Sequence, residues 1–526
     1  MNTLDYIVIG VYLIGLLSLG FIFKQSKNSN EYFLGGRSMG WLALSLSTMA
    51  TQLSAISFIS APAFVGLREG GGMQWLAYEF AVPLAMAFLM VFLIPPLYKS
   101  GVVSIYEYLE KRFNSGTRLL ISFVFQVGRS LATGVMVYAM ALILQAVIGL
   151  DFWVTILIIG LITLIYSFQG GMKAIVYGDT MQMLLLFGGI ILCVVFGLKE
   201  IGGWAEFTNA LDYDRLTAVD FSKIGWNDGG FGFWPMLIGG FFLYASYYGT
   251  DQTQAQRIIS AKNEGAFKSI LLANGLFRFP VTLTYCVMGL ILGTLFFQDQ
   301  SFQTGITAIM ESSGIDKQSD LLVPVFIMQY LPGGVRGLLI VGILAAAMSS
   351  LSSAINSLSA VTTEDYVKKF ITQDTDKLIG WSKYLSIFWG IVCLLFAFYA
   401  GDIAPTVIEA VNKVSSAFSG PILATFILAT MFKNVRGLPM NIGIIVGVVL
   451  NLYFWKFVPE LFWFWWNAVG AIVTFSVAIL FNVLLGYGLL KPNKESKVSW
   501  SPQILILLLF TVLIIVLSLT VNKWLV

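Results

Sequence analysis

Apolar runs of about 20 residues, separated by short charged or Gly/Pro-rich breaks, recur along the whole chain, and each is long enough to cross a hydrocarbon layer of roughly 30 Å as a helix. Reading run against break predicts about fourteen transmembrane helices. They lie near 4–23, 41–66, 72–98, 119–149, 152–168, 174–198, 231–250, 269–297, 323–361, 384–400, 404–432, 439–457, 460–489 and 502–522. The expectation is an all-α polytopic membrane protein forming one transmembrane domain over 1–526. The longest polar stretch, about 199–230, is an acidic loop holding Glu200, Glu206, Asp212, Asp214, Asp220 and Asp228, so no soluble domain is expected. The first run is preceded by Asp5 and followed by Lys24 and Lys27, and it is too long for a cleaved signal segment.

Composition narrows the function. The chain is 57% hydrophobic and 11% charged, with a mean hydropathy of +0.83, against roughly a quarter charged for soluble proteins. With no histidine, a Ser-His triad, an imidazole base and a His-ligated zinc or haem site are excluded. The three cysteines lie singly in apolar runs, which argues against a disulfide framework or a CxxC site. A net charge of +3 carries no nucleic-acid footprint. No GxxxxGK[ST] occurs, so transport would draw on an ion gradient rather than on ATP.

Basic residues predict the orientation, because Lys and Arg stay on the cytoplasmic side. Of the 31, 20 fall in alternate loops on one side, Lys24, Lys27, Arg118, Arg257, Lys494 and Lys497 among them. Eight, including Lys317, fall on the other side, and Arg129, Arg278 and Lys413 lie within spans. Both termini are then extracytoplasmic, which requires an even number of crossings. The short loops suit a bacterial inner membrane.

Ionisable groups inside spans usually face a cavity or a partner. Here they are Glu79, Arg129, Asp179, Arg278, Glu409 and Lys413, although Glu409, Lys413 and Arg278 also fit span ends. In the segment LAAAMSSLSSAINSLSA (344–360), Ala346, Ser349, Ser350, Ser353, Ser357 and Ala360 form one helical stripe, with Ser352 beside it. A small-residue packing face explains the alanines. Four hydroxyls within five residues fit a site for a small hard cation better, completed by carbonyls of an unwound helix. Residues 48–66, TMATQLSAISFISAPAFVG, are the unwound candidate: polar, and interrupted by Pro62. A matching irregularity at 239–254, five spans on, suggests two inverted five-helix repeats.

Six stretches resemble the sodium/solute symporter family, which includes sodium–glucose, proline, iodide, multivitamin, monocarboxylate and sialic-acid transporters. They are EYFLGGRSMGW (31–41), ATQLSAISFISAP (50–62), SIYEYLEKRFN (104–114), YSFQGGMKAIVYGDTMQ (166–182), YYGTDQTQAQR (247–257) and AAAMSSLSSAINS (345–357). The resemblance implies a LeuT-like 5+5 inverted-repeat core of ten helices with an extra helix at its end over 41–457, an extra N-terminal helix at 4–23 and C-terminal helices over 460–526. It implies a sodium ion held by the carbonyls of Ala50, Leu53 and Ala346 and the hydroxyls of Ser349 and Ser350. A second sodium would use Ser349, Ser352, Ser353 and the Asp179 carboxylate, so two ions are expected per cycle.

For the solute, the resemblance places Gln52, Ser54, Ser57, Glu79, Arg129 and Tyr244 in the pocket and Tyr247 at an aromatic gate over it. Arg129 offers a fork of donors suited to a carboxylate. Pairing with Glu79 or a carbonyl is the structural alternative. The expected function is sodium-coupled symport of a small carboxylate-bearing solute such as sialic acid, with a neutral sugar or a monocarboxylate or vitamin as alternatives. An ion channel is the rival from another class; an enzyme is not expected.

Overall fold

A computed structural model describes the chain over residues 1–22, 29–52, 54–313, 318–399, 403–493 and 501–525. It is helical throughout, with no strand beyond isolated bridges among the described residues. Among the described residues, ten helices are long and apolar enough to cross a membrane, or eleven if one bent pair counts as a span. Lys24, Lys27, Lys317, Lys494 and Lys497 lie outside the described residues.

The first 20-residue helix, α1 (Thr3–Ile22), braces the centre of the bundle. Its buried Asp5 accepts hydrogen bonds from the Gly334 (2.7 Å) and Gly337 (3.0 Å) amides and from Arg336 (3.1 Å). Those amides open the hydroxyl-rich helix, so a carboxylate from another span meets its positive end. Next comes the bent pair, α2 (Trp41–Gln52) and α3 (Ala55–Gly66), turned by 53°. The break lies between Gln52 and Ala55, where Ser54 is described, and not at Pro62, which stays inside α3. Ser54 is extended, and its hydroxyl caps α3 by accepting from the Ile56 amide (3.3 Å). Polar capping, rather than proline, therefore ends the helix here.

The predicted run 119–149 becomes α4 (Ser115–Ile148), and the two predicted runs 152–168 and 174–198 join in α5 (Phe152–Ile201). At 50 residues α5 would be roughly 75 Å long if straight, over twice a bilayer core. Gly171 breaks it with φ 55° and ψ −152°, where a Cβ would lie 2.7 Å from the Tyr32 carbonyl. The irregularity at 239–254 is a second break, where the seventh run (231–250) ends in α6 (Gly240–Thr250) and α7 (Gln252–Ile259) follows past the extended Asp251. After the long α8 (Glu264–Gln298), the run at 323–361 divides into Leu322–Tyr330 and α9 (Val335–Thr362). Pro332 and the left-handed Gly334 (φ 86°) interrupt it. The helix α10 (Val407–Met431) completes the surroundings of the site.

The serine helix is central: 89% of the most apolar stretch of its span is buried, against 28% for Pro502–Leu519 at the periphery. It packs on α5, while α3 packs on α8. In that second contact backbone meets backbone. A Cβ on Gly66 would fall 2.2 Å from the Gly289 carbonyl, and one on Gly293 would fall 2.4 Å from the Gly66 carbonyl. Gly293→Ala is therefore expected to wedge α3 from α8 and destabilise the protein by about 1–3 kcal/mol. Gly10→Ala, which meets nothing within 4 Å, should leave the unfolding temperature in detergent unchanged.

Candidate solute and ion site

The break between α2 and α3 opens onto a cavity of about 100 Å³ reached also by α4, α6, α8 and α10. Gln52, Ser54, Ser57, Glu79, Arg129 and Tyr247 line it, six of the seven solute residues expected from sequence. Tyr244 does not. It is fully buried behind the wall, where its hydroxyl donates to Glu79 Oε1 at 3.0 Å. The bend itself is stitched by polar groups: the Ser57 hydroxyl donates to the Gln52 carbonyl at 3.3 Å, replacing a lost helical bond.

Sequence reasoning left Arg278 between an inner and a span-end position. It is buried and makes a two-pronged ion pair with Glu79, Nη2–Oε1 2.7 Å and Nε–Oε2 3.2 Å. Arg278 Nη1, Thr282 Oγ1 and Gln52 Oε1 are buried without hydrogen-bond partners among the described residues, and all three residues line the cavity. The structural alternative for Arg129, a pair with Glu79, is not what forms. Arg129 instead contacts Asp251, Nη1–Oδ2 3.4 Å, and lies over the Tyr247 ring at 5.6 Å. Its Nε is buried with no hydrogen-bond partner among the described residues. In a low-dielectric cavity such unpaired groups are costly unless a ligand meets them.

On the other side of α2 the structure gathers Ser47, Asp179, Arg257, Ser349 and Ser353. The hydroxyls of Ser47 and Ser349 donate to opposite oxygens of the Asp179 carboxylate, so one side chain ties α2 to α9. Ala50 lies one turn beyond Ser47, in the last turn of α2, where carbonyls lose their helical amide partners. Ser350, adjacent to Ser349, is 1% exposed, and its hydroxyl has no hydrogen-bond partner among the described residues. Ala346, one turn earlier on α9, is buried as well. Leu53 lies outside the described residues.

Around Asp179 the expected hydroxyls are present, but a guanidinium has joined them. Arg257 Nη2 reaches Asp179 Oδ2 at 2.8 Å and Ser353 Oγ at 2.5 Å, and its Nε reaches Ser47 Oγ at 2.8 Å. Ser352 turns its hydroxyl to the Ser349 carbonyl (2.9 Å). Its charge and polar neighbours predict a loop position for Arg257; the structure instead buries it on α7, as it buries Arg118 at the start of α4. Removing both from the loop count leaves the charge excess on the same side. Every residue of α7 is buried, and its polar side chains satisfy neighbouring backbone. Gln252 bonds the Val103 carbonyl (2.8 Å) and the Ile105 amide (2.9 Å), and Gln254 reaches the Thr48 carbonyl (3.2 Å). Polarity there signals broken helices needing partners, not solvent.

Two ion-pair networks lie at different ends of these helices. Arg68, just past α3, grips Glu409 of α10 with Nη2–Oε1 2.8 Å and Nε–Oε2 3.1 Å. Glu409 also accepts from Thr406 in a capping box, so the span-end position is the one it takes. Lys413, one turn on, lies over the Trp455 ring at 5.8 Å. Elsewhere Arg118 of α4 holds Asp365 (2.6 and 2.9 Å) and Glu110 (2.7 Å), and Lys369 joins Glu110. Burial works against the charge of Glu110, but hydrogen bonds from Lys369 and Arg118 outweigh it and hold its carboxyl below the usual range.

Mouse sodium-coupled monocarboxylate transporter 2 is 32% identical over 464 residues, covering 86% of this chain and 71% of the relative. The human sodium/iodide cotransporter is 30% identical over 431 residues, 81% of this chain and 65% of the relative. The substrate-bound outward-open structure of a Na+-coupled sialic acid symporter, described with a novel Na+ site, superposes with a TM-score of 0.82 at 25% identity. That match covers 94% of this chain and all of the other. A nucleobase-cation-symport-1 transporter, Mhp1, shares the fold alone, with a TM-score of 0.53 at 13% identity, over 90% of this chain and 97% of the other. The sodium:solute symporter family model matches residues 32–447, and the chain belongs to that family of multi-pass, sodium-coupled transporters.

Proposed function

We propose that the chain carries a small carboxylate-bearing solute, together with two sodium ions, through the cavity at the α2–α3 break. The observation that carries the solute reading is Arg129: a buried guanidinium facing the cavity with Nε unpartnered and one loose ion pair. Support comes from relatives whose names specify anions, a monocarboxylate, iodide and sialic acid. Gln52, Ser54 and Ser57 bond the rest of the solute, and Tyr247 covers it.

The first sodium takes the carbonyls of Ala50, Leu53 and Ala346 and the hydroxyls of Ser349 and Ser350. The partnerless Ser350 hydroxyl supports this assignment. The second takes Asp179 with Ser349, Ser352 and Ser353. It competes with Arg257 for the carboxylate, so the guanidinium withdraws as the ion arrives. Two sodium ions with one monoanion leave one net charge moving down an inside-negative potential, about 2.3 kcal/mol per 100 mV. Sodium binds the outward-facing form better, since only differential affinity shifts a conformational equilibrium. The Arg68–Glu409 and Arg118–Asp365 networks open in alternation.

This reading keeps fourteen spans, a 5+5 repeat with an extra helix at its end over 41–457, helices over 460–526 and extracytoplasmic termini in a cell membrane, most simply a bacterial inner one. Thermal unfolding of the purified protein with lactate, N-acetylneuraminate or glucose, with and without sodium, tests it. A carboxylate should stabilise the protein in sodium, and Arg129→Ala should abolish that effect while keeping the stabilisation by sodium alone. Stabilisation by glucose and by neither carboxylate would reject it.

A further inference from the structure

Arg129 and Tyr247 form a partition. They line both the main cavity and a second one of about 40 Å³ whose walls include Ser246, Thr250 and Asp251. The two buried arginines of the main cavity differ in how they are held. Arg278 meets Glu79 with two prongs, and Tyr244 braces both groups, Arg278 Nη2 donating to its hydroxyl at 3.1 Å. Arg129 meets Asp251 through one 3.4 Å contact, and the Asp251 side chain is 18% exposed. A permanent structural pair resembles the first arrangement. The second resembles a partner that leaves.

Asp251 can leave because its two oxygens have separate tasks. Oδ2 faces Arg129, while Oδ1 accepts from the Thr253 amide at 2.7 Å and caps α7. Losing Arg129 therefore does not uncap the helix. The Asp251 amide bonds the Ser246 carbonyl (3.1 Å), and Tyr106 donates to the Thr250 carbonyl (3.0 Å), so the backbone at the break is fixed from both sides.

We propose that Asp251 is a tethered competitor for the carboxylate of the solute. It holds Arg129 while the cavity is empty and yields the guanidinium when a solute carboxylate arrives. The proposal rests on the carboxylate reading above. It gives Asp251 two effects. A carboxylate solute binds more weakly than Arg129 alone would allow, because an internal anion must first be displaced. A neutral solute does not displace Asp251, so occupancy without a carboxylate leaves the partition closed. The same residue caps the helix that carries Arg257 to Asp179, so the exchange at Arg129 is felt on the element reaching the ion site.

Asp251→Asn removes the charge and keeps a capping side chain; Asp251→Ser does the same with a shorter one. Binding of lactate and N-acetylneuraminate, and of lactamide as a neutral counterpart, is measured in sodium by thermal shift and calorimetry on the full chain. Both variants should bind a carboxylate at least about tenfold more tightly than the parent, with lactamide unchanged and the maximal uptake rate lowered. Adding Arg129→Ala should cancel the gain. Carboxylate affinity unchanged or weakened in a variant that unfolds at the parental temperature overturns the proposal while leaving the carboxylate reading intact. Equal tightening of lactamide also overturns it. If parent and both variants bind neither carboxylate, both readings fall; a carboxylate bound only by the variants supports the competitor.

Discussion

Ser350→Ala is expected to raise the sodium concentration for half-maximal uptake about tenfold or more without lowering the stability of the sodium-free protein. Both halves follow from one fact: the Ser350 hydroxyl is buried and bonds nothing among the described residues. Serines in membrane helices ordinarily donate to the carbonyl one turn back, as Ser130 does to Gln126 at 2.7 Å. Ser350 forgoes that bond. Removing a buried, unsatisfied hydroxyl relieves a desolvation cost of about 1–3 kcal/mol rather than breaking an interaction. Removing one oxygen ligand from a sodium ion costs about 1.4 kcal/mol for each tenfold loss of affinity. A structural serine would give the opposite pattern, lower stability with unchanged sodium dependence. Thermal unfolding at zero and saturating sodium, paired with sodium-titrated uptake in proteoliposomes, separates the two. An unchanged half-saturation would remove Ser350 from the ion site.

Asp179→Ala should have the largest effect on folding. It strands the Arg257 guanidinium, 2% exposed, and takes the acceptor from Ser47 and Ser349 together. Breaking a buried pair on one side is expected to destabilise by about 3–5 kcal/mol. Replacing both partners by apolar groups is often close to neutral, so Asp179→Ala with Arg257→Met should recover most of the lost unfolding temperature. The double variant should still fail in sodium-coupled uptake, because the carboxylate that would neutralise the second ion is gone. Recovery of stability and of sodium coupling together would show Asp179 to be scaffolding only.

Much of the site was legible in the sequence because lipid imposes a simple rule. Spans must be apolar, so Arg129, Asp179, Glu79 and the Ser349–Ser353 cluster stood out against their surroundings, and all are buried. The helix breaks were legible as regions, from the polar, interrupted stretches 48–66 and 239–254, but not as positions. Pro62 drew attention away from Ser54, whose capping hydroxyl ends the turn. Arg257 and α7 were misread for the reverse reason, since a polar stretch between spans looks like a loop.

Hydrophobic periodicity and length, which need no partner, determined that the chain is helical, crosses a membrane many times and places hydroxyls and charges at mid-span. Pairing needed the tertiary structure. Only the packed bundle decided that Glu79 goes to Arg278, Arg129 to Asp251 and Asp179 to Arg257. Electrostatic attraction has no sequence period: any of these carboxylates suits any of these guanidiniums until helix packing brings particular ones within 3–4 Å.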